Sequence, residues 1–121
     1  MTRVVLVEDD PTICRVIEML LATEPDLELV GTAASAEQGL ELVRTLLPDL
    51  VLLDNQLEGV LTGFAAAPLY KRAAPGVVVL LCTALDLAAA AAAEPSINGY
   101  LRKDSLADLV EVVWELLGAR S

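Results

Sequence analysis

Residues 4–12 read "VVLVEDDPT". Four aliphatic side chains in a row, without polar alternation, mark a strand buried on both faces. The run ends on Glu8, Asp9 and Asp10. Carboxylates held that close repel by roughly 4 kcal/mol per pair at 4 Å and an effective dielectric of 20. Hydrophobic packing gains nothing from such a cluster, and a bound divalent ion would relieve it. Asp10 has a second use, because Pro11 suits the first position of a helix that Asp10 would cap.

The pattern repeats along the chain. A helix from Pro11 carries Ile13, Val16, Ile17, Leu20 and Leu21 at helical spacing, and "LELVG" (27–31) is a second strand. Ser35 and Gln38 have capping-box spacing before a helix that buries Leu40, Val43 and Leu47. "DLVLLD" (49–54) is a third strand ending on an acid. Residues 63–74 read as a helix, short or kinked because Pro68 falls inside it. "VVVLLC" (77–82) is the fourth strand, "LDLAAAAAAE" (85–94) an alanine-rich helix, and "GYLRK" (99–103) the fifth strand. Ser105 and Asp108 are placed to cap a last helix bearing Leu106, Leu109, Val110, Val113 and Leu117. Gly59 and Gly63 read as loop formers, and Trp114 as a packing or interface residue. Strands that alternate with helices and are apolar throughout predict an α/β fold, a parallel sheet covered on both faces by five helices. All 121 residues fit one domain, 1–121, with no linker and no repeat.

Composition removes several function classes. The 8 basic and 18 acidic residues leave a net charge of −10, which argues against direct nucleic acid binding. The chain has no histidine, so imidazole-based triads and most zinc sites are excluded. Apolar content is 55%, yet no run approaches a membrane span, and the N-terminus lacks a signal peptide pattern. A cytoplasmic protein with Cys14 and Cys82 reduced in the core is expected.

Right-handed crossovers bring every strand's C-terminal end to one edge, where ligands of such sheets bind. The first strand delivers Glu8, Asp9 and Asp10 there, the third Asp54, the fourth Thr83 and the fifth Lys103. Carboxylates without imidazole or thiolate form a hard oxygen site that favours Mg²⁺. Asp54 can act as a nucleophile towards phosphorus, with Thr83 and Lys103 positioned for the non-bridging oxygens.

These residues, in this order, resemble a two-component response regulator receiver domain across essentially the whole chain. The acidic pair Glu8 and Asp9 follows the first strand. Asp54 in "LVLLDNQ" matches the phosphoacceptor, Thr83-Ala84 the hydroxyl and small residue that contact the phosphoryl group, and Lys103 the lysine preceded by a switch aromatic, Tyr100. The resemblance implies a flavodoxin-like sheet of order 2-1-3-4-5. It implies Mg²⁺ held by Asp9, Asp54 and the backbone carbonyl of Gln56, with Glu8 acting largely through water. Asp10 is either a further metal ligand or the helix cap. Thr83 and Tyr100 would form the switch. The implied function is a phosphorylation-activated signalling switch, a phosphoacceptor rather than a turnover enzyme. Its partner would be a sensor histidine kinase or phosphotransfer protein, and it would control transcription or another output.

"EPDLELVG" (24–31) and "GYLRKDSLADLVEVV" (99–113) resemble receivers that carry a helix-turn-helix DNA-binding module, including Asp104 where most receivers have proline. Either a single-domain regulator or a C-terminal module beyond Ser121 fits, as does homodimerisation on phosphorylation. The loop "NQLEGVLTGF" (55–64) lacks the usual Met-Pro pair and is longer than the family pattern, while Thr83 to Lys103 is shorter and contains Ala88 to Ala93. These departures support an alternative, a receiver-like interaction module that signals without phosphate. A remoter alternative is a haloacid dehalogenase-type phosphatase, whose acid-x-Asp-x-Thr pattern Glu8-Asp9-Asp10-Pro11-Thr12 resembles superficially.

Overall fold

The structure is a computed structural model that describes residues 1–118. Five strands, β1 (Thr2–Val7), β2 (Leu27–Ala33), β3 (Leu50–Leu53), β4 (Val78–Thr83) and β5 (Gly99–Arg102), pair in parallel in the order 2-1-3-4-5. The helices are α1 (Pro11–Ala22), α2 (Ala36–Leu46), α3 (Gly63–Ala73), α4 (Ala88–Ala93) and α5 (Leu109–Leu117). Successive side chains of a strand point to opposite faces, and here both faces are dry. Val5, Val7, Val51, Leu53, Val79 and Leu81 pack with α2 and α3. Val4, Leu6, Leu50, Leu52, Leu80 and Cys82 pack with α1 and α5. That double burial is why the central strands β3 and β4 and most of β1 read as apolar runs, whereas the edge strands β2 and β5 are partly exposed and carry Glu28, Thr32 and Arg102.

Local chemistry sets the helix ends. Asp10 caps α1, its Oδ1 accepting from the Thr12 and Ile13 amides at 2.8 and 3.4 Å. Ser35 Oγ accepts from the Gln38 amide at 3.1 Å, and Gln38 Oε1 in return accepts from the Ala34 amide at 3.3 Å, one residue earlier than the usual reciprocal bond. Tyr70 of α3 is fully buried and donates from its hydroxyl to the Ala36 carbonyl at 2.8 Å, joining α3 to α2.

Several sequence expectations are corrected. Leu47 is not buried: α2 ends at Leu46, and Leu47 turns into the left-handed region (φ 47°) as its C-cap, 60% exposed. Val16 lies on the exposed face of α1. Pro68 does not shorten α3, which runs from Gly63 to Ala73 through it. Gly63 is therefore the first residue of that helix, while Gly59 does sit in the loop, with φ 87°. The fourth helix begins only at Ala88, and ahead of it the Leu85 carbonyl and the Leu87 amide are bonded to the Tyr100 hydroxyl. Ser105 and Asp108 cap nothing: residues 103–108 form a 3-10 turn, and α5 starts at Leu109 without a side-chain cap. Both cysteines are free, Cys82 buried and Cys14 half-buried. Among the described residues, no helix is long and apolar enough to cross a membrane.

Candidate functional site

The ends of β1, β3, β4 and β5 meet over one depression of about 550 Å³, lined among others by Asp9, Asp54, Gln56, Leu57, Ala84 and Lys103. Parallel pairing aligns these ends in register. Val7 faces Leu53 across β1 and β3, and the Asp54 amide donates to the Val7 carbonyl at 3.0 Å, so the chain after each strand leaves from the same level.

Glu8, Asp9 and Asp54 converge there, with one carboxylate oxygen from each lying within 4.8 Å of the others. Glu8 and Asp54 are each only 3% exposed. Lys103 Nζ bridges them, 2.8 Å from Glu8 Oε1 and 3.1 Å from Asp54 Oδ2. The Asp10 amide donates to Glu8 Oε2 at 3.1 Å. Asp54 Oδ1, also buried, has no hydrogen-bond partner among the described residues. With every group ionised, three carboxylates against one ammonium make a formal charge of −2, Glu8 and Asp54 being buried and Asp9 half-buried.

Burial pushes the Glu8 carboxyl up to about 7, against the hydrogen bonds from Lys103 and the Asp10 amide, with the charge of Asp54 adding to the rise. For Lys103, burial works to lower the value, but its hydrogen bonds to Glu8 and Asp54 outweigh that and the net direction is upward. Burial, with the nearby Asp54 and Glu8 charges, drives the Cys82 thiol up to about 12, so it is no nucleophile at neutral pH.

The Glu8 shift has a measurable consequence in metal-free buffer. The folded state holds this proton more tightly than the unfolded state, whose carboxyl titrates near 4.5. Its contribution is therefore complete below pH 4.5 and is lost as pH rises through about 7. A shift of this size corresponds to ~3 kcal/mol. Urea denaturation with chelator present should show wild type losing about that much stability relative to Glu8→Gln between pH 5 and 8. Parallel curves for the two proteins would contradict it.

Asp10 spends its carboxylate on α1 and stands outside the converging trio among the described residues. Thr83 is fully buried at the end of β4, and its Oγ1 accepts from the Leu85 amide at 3.3 Å. Tyr100 lies half-buried on β5. Its hydroxyl donates to the Leu85 carbonyl at 2.6 Å and accepts from the Leu87 amide at 3.2 Å. Leu85 thus touches both Thr83 and Tyr100. Two residues escaped the sequence reading. Asn55 accepts from the Phe64 amide through Oδ1 at 2.9 Å, and Gly63 lies against the Asp54 backbone, where a Cβ would stand 1.9 Å from the carbonyl oxygen. The only advance signal was a small residue where a helix had to start beside the acid-bearing strand end.

The family model for the response regulator receiver domain matches residues 4–113. The nitrate/nitrite response regulator protein NarL of Escherichia coli is 31% identical over 102 residues, covering 84% of this chain and 47% of NarL. The transcriptional regulatory protein LnrK of Bacillus subtilis is 30% identical over 112 residues, 91% of this chain and 50% of LnrK. The chain thus spans about half the length of either relative. A crystal structure of a LuxR-family two-component response regulator from Aurantimonas superposes with a TM-score of 0.88 at 29% identity, covering 99% of this chain and 88% of that one. The match sets aside the phosphatase alternative. This chain belongs to the response regulator receiver domain family and is a phosphorylation-activated signalling switch.

Proposed function

We propose that Asp54 is the phosphoacceptor and that a phosphohistidine on a sensor kinase or phosphotransfer protein is the donor. The observation that carries this reading is the state of the Asp54 carboxylate. One oxygen is held by Lys103, and the other is buried without a partner among the described residues, a costly arrangement unless something binds there. The step forms a bond between an Asp54 oxygen and phosphorus and breaks the donor's phosphorus–nitrogen bond. The electron pair of that bond leaves with the imidazole, which takes up a proton. Lys103 stays within reach of the new acyl phosphate, and its raised proton affinity keeps it cationic at neutral pH. The Thr83 hydroxyl and the backbone of Ala84 supply further contacts to the phosphoryl oxygens. The chain acts on itself as a phosphoacceptor, not as a turnover enzyme on an external substrate.

The donor set fits Mg²⁺. Asp9, Asp54 and the carbonyl of Gln56 would hold it, with Glu8 in an outer role. All are hard oxygen donors, and the site's formal −2 matches a dication. When bound, Mg²⁺ supplies positive charge against the phosphoryl oxygens.

Withdrawal of the Thr83 hydroxyl towards a phosphoryl group would release the Leu85 amide. The same residue's carbonyl holds Tyr100, so the switch pair is coupled through Leu85. The outputs that fit are a C-terminal DNA-binding module like those of the LuxR-family relatives, or homodimerisation.

The test is intact mass after incubation with acetyl phosphate and Mg²⁺. Wild type should gain one phosphoryl group, labile to hydroxylamine, and Asp54→Ala or added chelator should abolish the gain. Equal phosphorylation of Asp54→Ala would move the acceptor elsewhere.

A further inference from the structure

We infer that Asn55 is a positioning residue for the metal site, fixing the backbone between Asp54 and Gln56 by clamping it to the start of α3. The inference rests on the Mg²⁺ reading of the same site. Asn55 is the residue between the proposed phosphoacceptor and the residue whose carbonyl is assigned to the metal. It holds α3 at two points: its side-chain Oδ1 accepts from the Phe64 amide at 2.9 Å, and its carbonyl accepts from the Gly63 amide at 3.2 Å. Both donors belong to the first turn of α3 and have no intrahelical acceptor.

Gly63 makes the clamp close. A side chain there would stand 1.9 Å from the Asp54 carbonyl oxygen and 3.0 Å from the Asn55 Cα, so the helix start rests directly on the Asp54–Asn55 peptide. The loop between the two clamped ends reverses at Gly59 (φ 87°) and exposes Val60 almost fully, at 95%. Gln56 is the first residue past the clamp and already lines the depression. Without Asn55's side chain, this end of the loop would keep only the Asn55 carbonyl as its hydrogen-bonded tie to the start of α3. Backbone acceptors need such support, because a carbonyl free to wander does not present its oxygen to an ion.

A plain helix-capping role for Asn55 is separable by experiment. Thr62 caps the same helix, its Oγ1 accepting from the Ala65 amide at 3.1 Å, and it touches neither Asp54 nor Gln56 by hydrogen bond. Asn55→Ala and Thr62→Ala should lower the urea midpoint by similar amounts. Mg²⁺ affinity is then measured on folded protein from the amide resonances of Gln56 and Leu57. Asn55→Ala should weaken binding about 10-fold, the lower end for loss of a residue supporting a metal ligand. Thr62→Ala should change it less than twofold. Hydrogen exchange at the Phe64 amide should accelerate in Asn55→Ala. Equal affinity in wild type and Asn55→Ala, or equal weakening by Thr62→Ala, would overturn the positioning role alone. Absence of any Mg²⁺ binding by wild type would overturn the metal reading, and the inference with it.

Discussion

Lys103→Met should cost ~3 kcal/mol of stability at pH 8 in metal-free buffer, because removing one partner of a buried charge pair strands the other. Methionine keeps the unbranched shape of the side chain, one atom shorter, and removes the charge. Glu8 and Asp54, each 3% exposed and both bonded to the Lys103 ammonium, would then face each other with only the Asp10 amide in compensation. The cost should shrink at pH 5. Lys103 itself stays protonated across this range, its folded value being raised, so the pH dependence comes from Glu8. With Lys103 beside it that carboxyl titrates near 7, and loss of the ammonium moves it further up, so at pH 5 it already carries a proton, which removes one charge from the stranded pair. Denaturation curves at the two pH values check both statements, and millimolar Mg²⁺ should restore part of the loss at pH 8. A variant as stable as wild type at pH 8 would show that the cluster is well hydrated and that Lys103 carries no structural charge role.

Gly63→Ala should be the most damaging of the glycine-to-alanine substitutions, its Cβ making the shortest contact of any glycine. Its Cβ would meet the Asp54 carbonyl oxygen at 1.9 Å and the carbonyl carbon at 2.8 Å, contacts with backbone that no rotamer change relieves. Overpacking typically costs 1–3 kcal/mol, and a clash with backbone on this scale belongs at the top of that range, about 3 kcal/mol. The better helix propensity of alanine offsets at most about 1 kcal/mol. Since the displaced group is the peptide of Asp54, phosphorylation by acetyl phosphate should also fall by at least an order of magnitude in the remaining folded protein. Wild-type stability together with a wild-type phosphorylation rate would refute the close packing.

The central strands β1, β3 and β4 and the chemistry at their ends were legible because a doubly buried parallel strand appears as an apolar run and its polar end group stands out, while the edge strands β2 and β5 were placed by their alternation with helices. Glu8, Asp9, Asp54, Thr83 and Lys103 could be gathered on one edge from topology alone. What escaped the sequence were features decided by contacts between distant segments. Leu47 follows the periodicity of α2, yet the helix ends before it and a left-handed backbone turns the side chain outward. Leu85 to Leu87 have helical propensity, but the Tyr100 hydroxyl claims their backbone groups. Pro68 suggested a short or kinked α3, yet the helix keeps 11 residues through it. Asn55 and Gly63 look like turn residues in isolation, and only the approach of α3 to the Asp54 peptide gives them their roles.

The central claim is that Asp54 receives the phosphoryl group beside a divalent ion and passes the change to Tyr100 through Thr83 and Leu85. The most direct measurement is amide NMR with Mg²⁺ and beryllofluoride, whose trifluoride stands in for a phosphoryl group on a carboxylate. The account predicts saturable shifts at Gln56, Thr83, Ala84 and Lys103, extending to Leu85, Leu87 and Tyr100, and their absence in Asp54→Ala. Unchanged wild-type spectra with both additives, or the same shifts in Asp54→Ala, would contradict it.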